Sequence, residues 1–163
     1  MHIQISFMKK VRDYMKSKVV SFKPGDTIFQ VAKVFSHKGI SGAPVLKGGK
    51  VVGVVSEADL IKHLETRVHN TQSFEGHTEL HIGLMLIDIL RENFEFTHEV
   101  ARLSKTRLKD VMSKNIISIS PEDGLVEAAE LMGKHDVHRL PVIDGGKLVG
   151  IISRADLIKA LVD

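Results

Sequence analysis

Two heptapeptides in this chain combine a helix cap with groups able to hold a polar ligand. They are Gly53-Val54-Val55-Ser56-Glu57-Ala58-Asp59 and Gly150-Ile151-Ile152-Ser153-Arg154-Ala155-Asp156. Glycine lets a ligand or a neighbouring backbone approach the strand closely. Serine at a helix N-cap with aspartate three residues on can form a capping box. A helix N-terminus carries N–H groups and the positive end of a dipole, which suit a phosphate or a sugar hydroxyl. The same pair is also a stabilising cap in any protein, worth ~1 kcal/mol.

The heptapeptides belong to a larger repeat. Val11–Leu64 aligns without a gap on Leu108–Leu161, 97 residues later, with 20 identities in 54 positions. The identities include Pro24/Pro121, Asp26/Asp123, Pro44/Pro141, the Gly48-Gly49-Lys50 and Gly145-Gly146-Lys147 turns, and both Ser/Asp pairs. One supersecondary unit is therefore used twice. Halves of this size bury too little surface to be comfortable alone, so they are expected to share a core.

Each unit reads β-α-β-β-α, an α/β (α+β) pattern. Val19–Phe22 and Ile116–Ile119 are short β-branched runs stopped by prolines at 24 and 121. Asp26 and Asp123 are expected to cap the helices that follow. Those helices have Ile28, Val31, Ala32 and Phe35, or Leu125, Ala128, Ala129 and Met132, at helical spacing. A hairpin follows in each, Ala43–Leu46 with Lys50–Val55 and Leu140–Ile143 with Lys147–Ile152, joined by Gly-Gly turns. The second strands, Val51–Val55 and Leu148–Ile152, are apolar on both faces and are expected to be covered on both sides. Closing helices span Ser56–Leu64 and Ser153–Leu161. The resulting division is a tail, 1–10; repeat 1, 11–64; an insertion, 65–107, with 79–105 mostly helical; and repeat 2, 108–163.

Bulk properties exclude several classes. No cysteine means no disulfide and no thiolate chemistry. No run approaches the ~20 apolar residues of a membrane span, and Met1–Lys10 lacks the features of a signal peptide. A cytoplasmic protein is expected. Residues 1–64 hold 11 Lys/Arg against 4 Asp/Glu, whereas 65–107 hold 5 against 7 and 108–163 hold 7 against 9. The basic first half leaves open a nucleic-acid-binding alternative, but its lysines are not interleaved with aromatics and no recognition-helix pattern appears. His77 and His81 share a helical spacing without the rest of a metal coordination sphere, so no metal is expected. No nucleophile–base arrangement exists, and the chain is not read as an enzyme.

The doubled Gly-hydrophobic-hydrophobic-Ser-x-x-Asp motif, each copy preceded by a Pro-Val strand (Pro44-Val45, Pro141-Val142), resembles a tandem of cystathionine-β-synthase (CBS) domains, a Bateman module. The resemblance covers about 108 residues. It implies two units related by a pseudo-two-fold, with an adenosine-type ligand (AMP, ADP, ATP or S-adenosylmethionine) as regulatory ligand rather than catalytic cofactor. It further implies Asp on the ribose and Ser near the phosphate. One cleft would pair Ser153, Arg154 and Asp156 with Ser21, Ile40, Ser41 and Ala43. The other would pair Ser56 and Asp59 with Ser118, Val137, His138 and Leu140. His138-Arg139 resembles the basic pair on the phosphates in the nucleotide-sensing γ subunit of AMP-activated kinase. Also implied are a homodimer and an effector protein regulated in trans, unless the sequence is part of a longer chain. A purely structural dimerisation module remains the third reading.

Overall fold

The structure is a computed structural model that describes residues 9–68, 101–102 and 104–163. The expected helix over 79–105 and the His77/His81 pair lie largely or wholly outside the described residues. Helices are α1 (Val11–Tyr14), α2 (Ile28–Lys38), α3 (Glu57–Val68), α4 (Leu125–Lys134) and α5 (Arg154–Val162). Strands are β1 (Gly42–Lys47), β2 (Lys50–Ser56), β3 (Arg139–Asp144) and β4 (Lys147–Ser153). β1 pairs with β2 and β3 with β4, giving two small sheets in a mixed α+β chain. The described residues group into two compact units. One holds 9–21, Ala43–Val54 and Lys114–Asp163; the other holds Phe22–Gly42 and the described part of 55–113. The hairpin of the first repeat therefore sorts with the second repeat, and its two helices form the other unit.

β3 is the inner strand of its sheet. Ile119 joins it in a single parallel bridge, with Ile119 N–H donating to Pro141 O (3.1 Å) and Ile143 N–H to Ile119 O (2.9 Å). Pro141 has no N–H to give to Ile117 O and Pro121 none to give to Ile143 O, so the expected first strand shrinks to this one bridge. β4 pairs antiparallel on the other side of β3, with a register slip between Val142 and Ile143. Leu140, Pro141 and Val142 are consequently buried. In β4 only Gly150 and Ile152 are buried, and in β2 only Gly53 and Val55. The apolar second strands are thus outer strands that bury alternate residues. The expectation that they are covered on both faces is corrected.

The outer edge of β4 is occupied by the segment after α1. Lys16 N–H donates to Ile151 O (2.9 Å) and Ile151 N–H to Lys16 O (3.0 Å), which protects an edge that would otherwise be exposed. Glycine at 150 permits this approach, since a Cβ there would lie 2.6 Å from Met15 Sδ and 3.1 Å from Lys16 O.

That segment is half of a reciprocal arrangement. Val11 N–H donates to Asp123 O (2.9 Å), Arg12 N–H to Pro121 O (3.0 Å), and Leu125 N–H to Lys9 O (3.2 Å). Shifted by 97 residues, the pattern recurs in the other unit. Leu108 N–H donates to Asp26 O (2.7 Å), Lys109 N–H to Pro24 O (3.0 Å), and Ile28 N–H to Thr106 O (3.1 Å). Each repeat's leading residues thus dock on the proline turn and first helix of the other repeat. Residues 9 and 10, placed in the tail by sequence, belong to this docking. Val11 and Leu108 are fully buried as a result. Val11 packs with Ile119, Leu125, Ala128, Met132, Leu140, Val142 and Ile152. In the other unit Ile28, Val31, Phe35, Val55 and Leu60 are buried, and Phe22 meets Phe35 edge to face at 6.0 Å.

Two local expectations change. The N-cap of α2 is Thr27, whose side chain accepts from Gln30 N–H in a capping box. Asp26 instead accepts from Lys23 N–H (2.7 Å), closing the proline turn. In the second repeat Asp123 does the same for Ser120 (2.9 Å), and Gly124 is an N-cap without a side-chain bond. Ala32 and Ala129 are exposed, so the buried stripe of each helix is narrower than expected.

Candidate functional site

Both Ser-x-x-Asp motifs form their capping boxes. Asp156 Oδ2 accepts from Ser153 N–H (2.8 Å) and Ser153 Oγ (2.6 Å), while Asp156 N–H donates to Ser153 Oγ (3.4 Å). At the other corner Asp59 Oδ2 accepts from Ser56 N–H (2.8 Å) and Ser56 Oγ (2.8 Å), and Asp59 N–H donates to Ser56 Oγ (3.3 Å). One carboxylate oxygen of each aspartate is committed to the cap. Oδ1 is the oxygen left outside it.

The helix N-termini are also partly used. Arg154 N–H donates to His138 O (3.0 Å) and Glu57 N–H to Ser41 O (3.0 Å). The first-turn N–H groups are therefore fewer than the expected free set, because the residue that opens each hairpin folds its carbonyl back onto the helix. These bonds bring His138 beside Arg154 and Ser41 beside Glu57. The β3–β4 register sets Arg139 opposite Ser153.

The corners differ in burial and charge. Asp156 is 8% exposed and is the buried charged residue among those described. Its Oδ1 lies 3.7 Å from Lys16 Nζ, on the segment that pairs with β4. Asp59 is half-buried. Arg154, which follows the capping serine, pairs with the exposed Asp136 at 3.7 Å. Lys16 was not singled out from sequence. The aligned position in the second repeat is the uncharged Ser113, a difference that does not itself point to Asp156.

The remaining predicted residues are spread through the chain. Ser153, Arg154, Asp156, Ser21 and Ala43 belong to one unit with Ser118, Val137, His138, Arg139 and Leu140. Ile40, Ser41, Ser56 and Asp59 belong to the other. Leu140 is fully buried within the aliphatic core, and Ala43 is buried in β1. Ser118 and His138 are exposed, and Ile40, Ser41 and Val137 are half-buried. Ser21 is exposed and lines a groove of about 440 Å³ with the two Gly-Gly-Lys turns. Among the described residues no three His, Asp or Glu side chains converge as a metal site. No helix among them is long and apolar enough to cross a membrane.

The CBS domain family model matches residues 11–66 and 108–163. An uncharacterised protein of Methanocaldococcus jannaschii is 38% identical over 154 residues, covering 93% of this chain and 90% of that protein. Two further relatives from the same organism are longer, and the chain spans 39% and 46% of their length. The CBS domain of a CBS-domain-containing membrane protein from Sphaerobacter thermophilus superposes with a TM-score of 0.73 at 27% identity. That match covers 96% of this chain and 90% of the other. CBSX2, solved in complex with AMP, has a TM-score of 0.66 at 23% identity, with 94% and 96% covered. With two matched copies and neighbours of the same architecture, the chain belongs to the CBS domain family and is a tandem CBS pair.

Proposed function

We propose that this CBS pair is a regulatory module that binds an adenosine-containing nucleotide, of the AMP/ADP/ATP or S-adenosylmethionine class, at its Ser-x-x-Asp corners. Occupancy is passed to an effector protein in trans, and the module works as a cytoplasmic homodimer. The observation that carries the reading is the doubled corner, where the cap holds Oδ2 of Asp59 or Asp156 and Oδ1, beside Lys16 at Asp156, lies outside it to accept from a ribose hydroxyl. The AMP complex of the structural neighbour CBSX2 supports the ligand class. Ser21, Ile40, Ser41 and Ala43 are assigned to the Asp156 ligand, and Ser118, Val137, His138, Arg139 and Leu140 to the Asp59 ligand. The corner residues bind without supplying a nucleophile or a general base, so the role is sensing rather than catalysis. A ligand regulates only through its different affinity for two arrangements of the module.

A thermal-shift screen over AMP, ADP, ATP and S-adenosylmethionine tests the proposal. At a hundredfold excess over Kd a ligand adds about 2.7 kcal/mol of stability, a readily measured rise in Tm. A flat response to all four would leave the structural dimerisation module as the better reading.

A further inference from the structure

The two Gly-Gly-Lys turns line one groove, of about 440 Å³, in a single compact unit. Lys50 and Lys147 both lie on its wall and both are exposed. Neither has a carboxylate partner among the described residues. The hydroxyl-bearing Ser17 and Ser21 complete the polar lining, and Val19, Leu46 and Leu148 supply apolar surface. Among the described residues no carboxylate lines the groove. In sequence Lys18 and Lys47 flank the lining residues, with Asp144 the one nearby acid adjoining a turn.

Glycine in the turns follows from backbone conformation. Gly48, Gly49, Gly145 and Gly146 all have φ between +55° and +79°, which hairpin turns of this kind require. The lysines have no such structural requirement. Two like charges on one groove raise the energy of the empty molecule, and an anion between them lowers it. A volume in the 300–1,000 Å³ range typical of small-molecule sites admits a compact ligand.

We infer that this groove is a second anion site, separate from both Ser-x-x-Asp corners, for a small phosphorylated molecule whose phosphate is held between Lys50 and Lys147. The Ser17 hydroxyl donates to the same oxygens, and the aliphatic side chains receive the less polar part.

Pyrophosphate is the probe, titrated calorimetrically into the full chain in a phosphate-free buffer of low ionic strength. Saturable binding is expected, weakening as salt is added. Lys50→Gln/Lys147→Gln should weaken it by about tenfold or more, because two charge-assisted contacts are lost. Both positions are exposed turn ends, and unchanged far-ultraviolet dichroism would verify folding. Asp59→Ala/Asp156→Ala should leave pyrophosphate affinity unchanged, which separates this site from the nucleotide corners. Absence of saturable binding, binding indifferent to the lysine changes, or binding lost with the aspartates would each overturn the inference.

Discussion

At the Asp156 corner Lys16 stands 3.7 Å from the carboxylate, whereas the position 97 residues after Lys16 is Ser113. The backbone around the corners is nearly the same in both. Each has the capping box, and each helix opens with an N–H bound to the carbonyl at the head of its hairpin. The leaders repeat this contrast. Lys10 and Arg12 pair with Glu122, while Arg107, aligned with Lys10, donates to the carbonyl of Gly25, aligned with Glu122. Main-chain bonds that define the fold survive in both copies, and side-chain charges that no bond of the fold requires have diverged. Differences in ligand preference between the copies should therefore follow the charges.

The largest expected effect sharpens the comparison of the leaders. Leu108 and Val11 are both fully buried at equivalent points. Leu108→Ala should cost about 2–5 kcal/mol, through lost burial and the cavity left behind. Val11→Ala removes fewer methyl groups and should cost less, about 1–3 kcal/mol. Urea denaturation measures both. If Val11→Ala proves the costlier, the two dockings are not energetically equivalent and the symmetry ends at the hydrogen bonds.

The caps come next. Ser56→Ala and Ser153→Ala should each cost about 0.5–2 kcal/mol. The Ser153 change should be the larger, because Asp156 is the more buried carboxylate and would lose its Oγ donor. Equal Tm losses would show that burial of Asp156 does not strengthen its cap.

The smallest effect is electrostatic. A hydrogen bond from Lys10, helped by the charge of Arg12, holds the Glu122 carboxyl below its ordinary value of 4.5. A carboxylate with a depressed folded pKa contributes stability that is present above 4.5 and is lost as pH falls through the folded value. Acid should therefore loosen the first leader, and Glu122→Gln should remove that part of the acid dependence. The second leader has a glycine at the matching place and should show no such component. Tm followed from about pH 6 to about pH 3 in wild type and Glu122→Gln measures it. Superimposable profiles would show that this exposed cluster contributes nothing to stability.

Features set by neighbours in sequence were legible before the structure. The Ser/Asp caps, the Gly-Gly turns and the buried Ile28/Val31/Phe35 stripe all depend on residues within one or two turns. Asp26 was misassigned because a carboxylate one residue before Thr27 serves the proline turn just as well as the helix. The runs Val51–Val55 and Leu148–Ile152 misled because a run apolar on both faces reads as covered on both, whereas only Gly53 and Val55, and Gly150 and Ile152, are buried. Leader docking was invisible, since it pairs residues 78 or more positions apart, from Ile28 with Thr106 to Lys9 with Leu125, through main-chain groups that carry no side-chain signature. Lys16 went unnoticed for the same reason, because only the docked leader brings it to Asp156.

Calorimetric titration of AMP into wild type, Asp156→Ala and Asp59→Ala tests the central claim most directly. The cation beside Asp156 and the arginine after Ser153 favour a phosphate-bearing ligand there, whereas Glu57 disfavours one at the other corner. Losing a charged acceptor for a ribose hydroxyl should cost ~1.5–3 kcal/mol, so Asp156→Ala is predicted to weaken AMP roughly ten- to a hundredfold. Asp59→Ala should weaken it clearly less. AMP affinity unchanged in both variants would contradict the assignment of these corners as the nucleotide sites, and a larger loss at Asp59 would reverse their ranking.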